Sequence, residues 1–210
     1  MRLLIAILLS LSFAFVMSGK GGHDDPYKDY DEVLFMDLDL DSNLMLPAVD
    51  KKGHPGVTSY INRVATDLAK QKFTVDLLRD DEVILVTVPS DELFLPNDTL
   101  LSPGAVTRLS PIIRLLNPGD MFKVVYGVHT DNTGSEFYNM ELAHKRNGSI
   151  YDYLLDTVND DQIVIPYEYG DTAPIESNNT RRGRQANRRI EFYLIPGPRM
   201  ITLAREGKLK

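Results

Sequence analysis

Four runs of apolar residues along the chain have the length and composition of buried β-strands. The clearest is residues 82–88 (EVILVTV), in which apolar and β-branched side chains follow one another almost without a break. A run of this kind is typical of a strand that is buried on both faces. Weaker runs predict further strands at residues 123–128, 162–166 and 189–194.

Apolar residues at helical spacing predict two long helices between these strands. The first begins at residues 102–103 (SP), where a capping serine precedes a proline in the first turn, and it ends before residues 117–119 (NPG). Pro111 lies inside this helix and predicts a kink or a later start. The second helix covers residues 135–155, and another is predicted at residues 56–72.

The order of these elements predicts an α+β fold. The order is strand, helix, strand, helix, strand, strand. Its strand-helix-strand connections favour parallel pairing of the connected strands with right-handed crossovers. We therefore expect a βαβαββ mixed sheet with helices packed on one face. All of its strands and its two long helices lie within residues 73–196, which are predicted to fold as one domain, and residues 197–210 are read as a C-terminal tail.

The chain before this domain divides into a predicted leader and an accessory segment. An almost unbroken apolar run at residues 3–17 follows a positive residue, so residues 1–18 are expected to be a signal peptide that is removed on export. About 15 apolar residues are few for a membrane span, which needs about 20. Residues 19–72 then hold a Gly/Asp-rich linker, a short strand predicted at residues 32–43 from alternating leucine and aspartate, and the helix described above.

Composition restricts the classes of function that the chain can have. The formal net charge of −7 argues against nucleic acid as the main partner. The chain has no cysteine, which excludes disulfides, thiolate metal sites, cysteine catalysis and a lipid anchor on an N-terminal cysteine. The hydrophobic content of 43% and the charged content of 25% are those of a globular protein.

The most informative chemical feature is an acid at a strand end followed by an arginine on an apolar helix face. Asp131 comes after the strand at residues 123–128, and Arg146 shares its helix face with Asn139. The rest of that face is Leu142, Ile150 and Tyr153, so it should pack inward. A buried arginine needs a partner. The sequence leaves open whether this partner is the acid at the strand end, a ligand carboxylate, or both.

The residues around this pair resemble the OmpA-like C-terminal domain family, whose members bind peptidoglycan non-covalently. The resemblance covers residues 73–196 and rests on HTD at 129–131, YN at 138–139, EL at 141–142, KR at 145–146 and GRQANRRIE at 183–191. It implies that Asp131 and Arg146 hold the two ends of the diaminopimelate amino acid in the stem peptide, with Asn139 in support. Thr130 lies beside Asp131 in the loop that would face the ligand.

Three other interpretations of these residues stay open. Asp131 and Arg146 could form a purely structural ion pair. His129 and Asp131 could ligate a metal, although no third ligand of suitable type is near in the sequence, and a structural role for His129 is preferred. The arginines of residues 181–189 could bind nucleic acid, but the resemblance instead implies a structural turn in which Arg184 and Arg188 pair with nearby acids.

Together, the residues and the resemblance predict a binding module rather than an enzyme, with no cofactor and no metal. Its expected location is the periplasm or the outer membrane. Its expected partners are peptidoglycan and, through residues 32–72, an outer-membrane or other envelope protein; nucleic acid is not expected. The alternative is a stator-type protein of the MotB kind, which requires a transmembrane helix with a buried aspartate, and residues 1–17 contain no acid.

Overall fold

A computed structural model describes residues 32–210 of the chain. The strands of this part are β1 (Thr74–Leu78), β2 (Val83–Pro89), β3 (Phe122–His129), β4 (Val164–Gly170) and β5 (Arg189–Pro196). The helices are α1 (Glu32–Met36), α2 (Leu40–Met45), α3 (His54–Lys70), α4 (Pro103–Leu116), α5 (Glu136–Thr157), α6 (Arg181–Asn187) and α7 (Pro198–Arg205). The predicted signal peptide and linker at residues 1–31 lie outside the described residues.

The strands form one open mixed sheet in the order β1-β2-β5-β3-β4. β3 and β4, which α5 connects, are parallel, as predicted for a strand-helix-strand unit. β5 lies at the centre and pairs antiparallel with both β2 and β3. The predicted α+β fold is confirmed, with one strand more than expected, because β1 pairs with β2 as a hairpin.

The larger core lies between one face of the sheet and four helices. Alternate residues of β2 (Ile84, Val86 and Val88) pack on this side together with buried residues of α3, α4, α5 and α7. Ile61 of α3 and Met200 of α7 are fully buried there. Both helices lie outside residues 73–196, yet they complete the core of that domain.

The opposite face of the sheet is covered by α1 and α2, so the helices are not confined to one face as predicted, and the prediction of a strand at residues 32–43 is also wrong. Phe35 packs on this face in a smaller apolar cluster. Asp39 caps α2 by accepting a hydrogen bond from the backbone N–H of Ser42 at 2.7 Å. Asn43 is fully buried and donates to the carbonyl of Phe35 at 2.8 Å. A short alternating run is compatible with a strand, but the cap and this long-range packing favour two helices.

Three other local predictions change in the structure. The GRQANRR segment, expected as a turn, contains most of helix α6. Residues 197–210, read as a tail, contain α7. α4 runs from Pro103 with Pro111 in its interior, so the later start is excluded. Between residues 32 and 210, the structure contains no helix with the length and apolar character that a membrane span needs.

We expect a fragment of residues 73–196 to be much less stable than one of residues 32–210. It lacks α3, whose Val57, Ile61 and Leu68 are buried at 2% exposure or less, and burying such a side chain contributes roughly 1.5–3 kcal/mol. Guanidinium unfolding of both fragments measures the difference in the free energy of unfolding. Equal stabilities would mean that α3 and α7 are not part of the folding unit.

The amine of Lys123 is fully buried beneath α1 and α2, and it makes the stability of the protein depend on pH. It donates to the carbonyl and to Oδ1 of Asn43 at 2.8 and 2.9 Å, and it lies 4.0 Å from the centre of the Phe35 ring. Burial, reinforced by the nearby charge of Arg79, lowers the pKa of Lys123 to about 7. An unfolded lysine keeps its proton to a much higher pH.

We therefore expect the free energy of unfolding to rise between pH 7 and 9 because of Lys123. In that window the unfolded state binds more protons than the folded state, so stability increases with pH. The Lys123→Met variant should lose this contribution, which urea unfolding of both proteins at several pH values would detect. Parallel pH profiles of wild type and variant would contradict the assignment.

Candidate ligand-binding site

A cleft of about 510 Å³ opens where the end of β3 meets α5, α6 and the loop after β2. Its lining includes all four residues singled out in the sequence: Thr130, Asp131, Asn139 and Arg146. Thr130 and Asp131 directly follow β3, and Asn139 and Arg146 lie on the buried face of α5. The tertiary structure therefore brings the strand-end acid and the helix-face arginine to one cavity.

Asp131 is held as a carboxylate by two short hydrogen bonds. Its Oδ1 accepts from the backbone N–H of Thr133 at 2.7 Å, and its Oδ2 accepts from Nη1 of Arg188 at 2.7 Å. Burial alone would raise the pKa of Asp131, but these bonds outweigh burial and hold the pKa below its usual value. Asp131 is thus ionised at neutral pH and keeps lone pairs for a further donor.

Arg146 forms the floor of the cleft and is held by uncharged groups. Its Nε donates to the carbonyl of Asp98 at 2.9 Å, Nη1 to the hydroxyl of Ser90 at 3.0 Å, and Nη2 to the carbonyl of Leu95 at 3.4 Å. The guanidinium carbon lies 4.7 Å from the centre of the Phe94 ring. The loop after β2 therefore positions this arginine.

The charge of Arg146 has no carboxylate partner among residues 32–210. The ion pair with Asp131 that the sequence left open is not formed, because Asp131 binds Arg188 instead. Burial lowers the pKa of Arg146, but a guanidinium stays charged at any physiological pH. Three of its five N–H groups are used in the bonds above, which leaves two for a ligand.

Thr130 and Asn139 bring unused polar atoms to the same cleft. Both residues are buried, at 5% and 1% exposure. Oγ1 of Thr130 and Nδ2 of Asn139 have no hydrogen-bond partner within the described part of the chain. An unsatisfied buried polar group costs about 1–3 kcal/mol, so a hydrogen-bond partner for either atom would be stabilising.

α6 forms the opposite wall of the cleft, and two residues of the GRQANRR segment explain its position. A Cβ at Gly183 would lie 2.0 Å from the carbonyl oxygen of Ser177, so only glycine allows this close approach. Asn187 is fully buried, and its Oδ1 accepts from the backbone N–H groups of Ile175 and Glu176 at 2.9 Å each. The segment is therefore a rigid support for the arginines that it carries.

Arg188 is the main residue of the cleft that the sequence analysis did not place in the ligand site. It was expected to pair with an acid, and it bridges two of them, Asp131 at 2.7 Å and Asp91 at 3.1 Å. The same expectation for Arg184 is wrong, since its Nη1 donates to the carbonyl of Asn178 at 2.8 Å. The cluster of arginines was the available signal, but their pairing depends on the fold.

His129 points away from the cleft and contributes to a buried polar cluster on the other face of the sheet. Its ring stacks on Tyr169 with centroids 4.6 Å apart, and its Nε2 lies 3.3 Å from Oε2 of Glu191. Burial lowers the pKa of His129. Burial of Glu191 opposes its ionisation, but the nearby His129 ring and the charge of Arg189 lower its pKa to about 2. Residues 32–210 contain no group of three or more potential metal ligands.

We expect Arg188→Gln to raise the pKa of Asp131, because the variant removes both a charge-assisted bond and a positive charge. Because its pKa is held below the usual value, wild-type Asp131 stabilises the fold at neutral pH, and this contribution disappears as the pH falls through the folded-state pKa. The stability difference between wild type and variant should therefore shrink in acid. An NMR titration of the Asp131 carboxyl carbon measures the pKa, and an unchanged value would exclude the proposed coupling.

Comparison with known proteins finds a family model that matches the part of the chain around the cleft. Residues 93–188 match the model of the OmpA family. The chain is 28% identical over 122 residues to the probable lipoprotein YiaD of Escherichia coli K12, an alignment that covers 58% of this chain and 56% of that protein. It is 38% identical over 72 residues to the peptidoglycan-binding protein ArfA of Mycobacterium tuberculosis, covering 34% of this chain and 22% of ArfA.

A solved structure with the same fold supports this assignment. The cell wall anchor of the T6SS from Pseudomonas aeruginosa superposes with a TM-score of 0.54 at 25% identity, and the match covers 67% of this chain and 96% of that one. The chain spans little more than half the length of the first curated relatives that it matches.

Proposed function

Because residues 93–188 match the model of the OmpA family, we propose that this protein binds peptidoglycan non-covalently through the diaminopimelate of the stem peptide. In this role it anchors the cell envelope to the wall, and it is located in the periplasm or at the outer membrane. The names of two similar proteins support the proposal, since one is a peptidoglycan-binding protein and the other a cell wall anchor.

The observation that carries the proposal is the unpaired charge of Arg146 on the cleft floor. A buried guanidinium that is hydrogen-bonded only to neutral oxygens attracts an anion, and its planar N–H groups fit a carboxylate. The free end of diaminopimelate carries a carboxylate and an ammonium on one carbon. Arg146 would bind the carboxylate, and Asp131, whose oxygens still have free lone pairs, would accept from the ammonium.

Thr130 and Asn139 complete the proposed site. The amide Nδ2 of Asn139 can donate to the ligand carboxylate, and the hydroxyl of Thr130 can either donate or accept. Each of these contacts is a hydrogen bond or an ion pair, and no covalent bond is made or broken. The site thus serves as a binding site without catalysis, a cofactor or a metal.

A stator-type protein of the MotB kind remains the alternative, and it would use the same cleft. It differs in needing a membrane-spanning helix with a buried acid, and residues 1–31, where the apolar run lies, are outside the described part of the chain. Residues 32–72, proposed to contact an envelope protein, form α1, α2 and α3 against the domain. A partner would therefore meet a folded surface.

We expect the protein to bind a diaminopimelate stem peptide at least about 10-fold more tightly than the same peptide with lysine in that position. Lysine keeps the ammonium but lacks the carboxylate proposed to bind Arg146, and a charge-assisted bond contributes about 1.5–3 kcal/mol. In Arg146→Gln this preference should disappear. Titration calorimetry with both peptides provides the affinities.

Two further variants make this test specific. Asp131→Asn should lower the affinity for both peptides to the same extent, because both carry the ammonium that is proposed to bind Asp131. Arg114→Gln changes an exposed arginine outside the cleft and should leave both affinities unchanged. A folded Arg146→Gln protein that still preferred diaminopimelate would exclude the assigned role of Arg146, and thermal melts of the same samples establish folding.

A further inference from the structure

The lining of the cleft carries more positive charge than a diaminopimelate end can balance. Four arginines line it (Arg146, Arg181, Arg184 and Arg188), against two acids (Asp91 and Asp131). Arg188 already binds both acids. The free end of diaminopimelate adds one carboxylate and one ammonium, which cancel. A bound amino-acid end therefore leaves the excess positive charge in place.

Arg181 and Arg184 are the source of this excess on the α6 wall. Within residues 32–210, neither forms an ion pair with a carboxylate. Arg184 is fixed by the bond from its Nη1 to the carbonyl of Asn178 at 2.8 Å, which leaves most of its N–H groups unused. Arg181 is exposed at the rim of the cleft and adds a second positive charge.

The wall that carries these arginines is rigid, which distinguishes it from a solvated run of basic residues. Gly183 packs against the Ser177 carbonyl, and Asn187 binds the loop before α6 through both its amide oxygen and its amide nitrogen. Both residues lie on the same short helix as the two arginines. The positive charge is therefore held at a defined position relative to Asp131 and Arg146.

We infer that Arg181 and Arg184 form a second anion-binding subsite, which binds another carboxylate of the same stem peptide. The inference rests on the proposed function and adds a selectivity to it. A stem tripeptide of alanine, γ-linked glutamate and diaminopimelate, acylated at its N-terminus, carries three carboxylates and one ammonium. Its net charge of about −2 is opposite to that of the cleft lining. Peptides in which this second carboxylate is an amide bind more weakly.

Amidated peptides test this inference and identify the carboxylate. Three N-acylated tripeptides are compared by titration calorimetry: one unmodified, one with the α-carboxylate of glutamate as an amide, and one with the C-terminal carboxylate as an amide. With the wild-type protein, one of the two amides should bind about 10-fold more weakly than the unmodified peptide, since a charge-assisted contact is lost. The weaker amide identifies the group that α6 binds.

Variants on α6 connect this selectivity to the two arginines. Arg184→Gln should lower the affinity for the unmodified peptide by a similar factor. Its affinity for the weaker-binding amide should equal that of the wild type. Arg181→Gln should act in the same direction, and because its side chain is exposed, the fold is preserved. Arg182→Gln is the matched control, since Arg182 lies on the same helix, is exposed and does not line the cleft.

The outcomes separate this inference from the proposed function. If the wild type binds the unmodified peptide but neither α6 variant changes that affinity, the inference is wrong and the proposed function stands. If the α6 variants lost equal affinity for the amidated and the unmodified peptides, the inference would also be wrong. Such a result would indicate long-range electrostatic attraction rather than contact with one carboxylate. If the wild type binds none of the peptides, both fail.

Discussion

The desolvated guanidinium of Arg146 is the constraint on which the geometry of the cleft depends. A charge removed from water costs several kcal/mol unless it is surrounded by hydrogen-bond partners. In this protein the partners are Ser90, Leu95 and Asp98, all from the loop after β2. The loop is thereby fixed against α5, and Asn97 within it adopts a left-handed backbone with a φ of 59°. Since the three partners are neutral, the charge remains available to an anion.

The central position of β5 connects this arginine to the acid on the other side of the cleft. β5 pairs with both β2 and β3, so the residue that precedes it lies between the loops that follow those two strands. That residue is Arg188, whose carbonyl accepts from the backbone N–H of Ser90 at 3.0 Å and whose side chain binds Asp131. One arginine therefore holds the acid ionised and also positions the loop that holds the other arginine. The charges of Asp131 and Arg146 are thus kept apart, and neither neutralises the other.

The segment at residues 32–72 packs on both faces of the sheet and belongs to the same folded unit. α3 completes the main core, and α1 with α2 covers the second face of the sheet through Phe35 and the buried amine of Lys123. A lysine in that position is tolerated because Asn43 supplies two oxygens and the Phe35 ring supplies a favourable face. No residue of α1 or α2 lines the cleft, so the proposed envelope contact through these helices and the proposed wall binding would not compete for the same surface.

The sequence by itself determined most of the strands and helices, and it singled out Thr130, Asp131, Asn139 and Arg146, which all line the cleft. Apolar runs predicted β2, β3, β4 and β5, and helical spacing predicted the inward face of α5. The structure confirms both, because these patterns depend only on residues that are close in the sequence. What the tertiary structure alone decided is how charges pair. Arg188 binds an acid that lies 57 positions earlier in the chain, and only the insertion of β5 between β2 and β3 brings the two together. Likewise, alternating Leu and Asp at residues 32–43 predicted a strand, but packing of Phe35 and Asn43 on a distant sheet face produced helices. The local spacing of apolar residues determines which face of a helix or strand is buried. Ion pairs and packing contacts between segments that are far apart in the sequence depend instead on the order of the strands in the sheet.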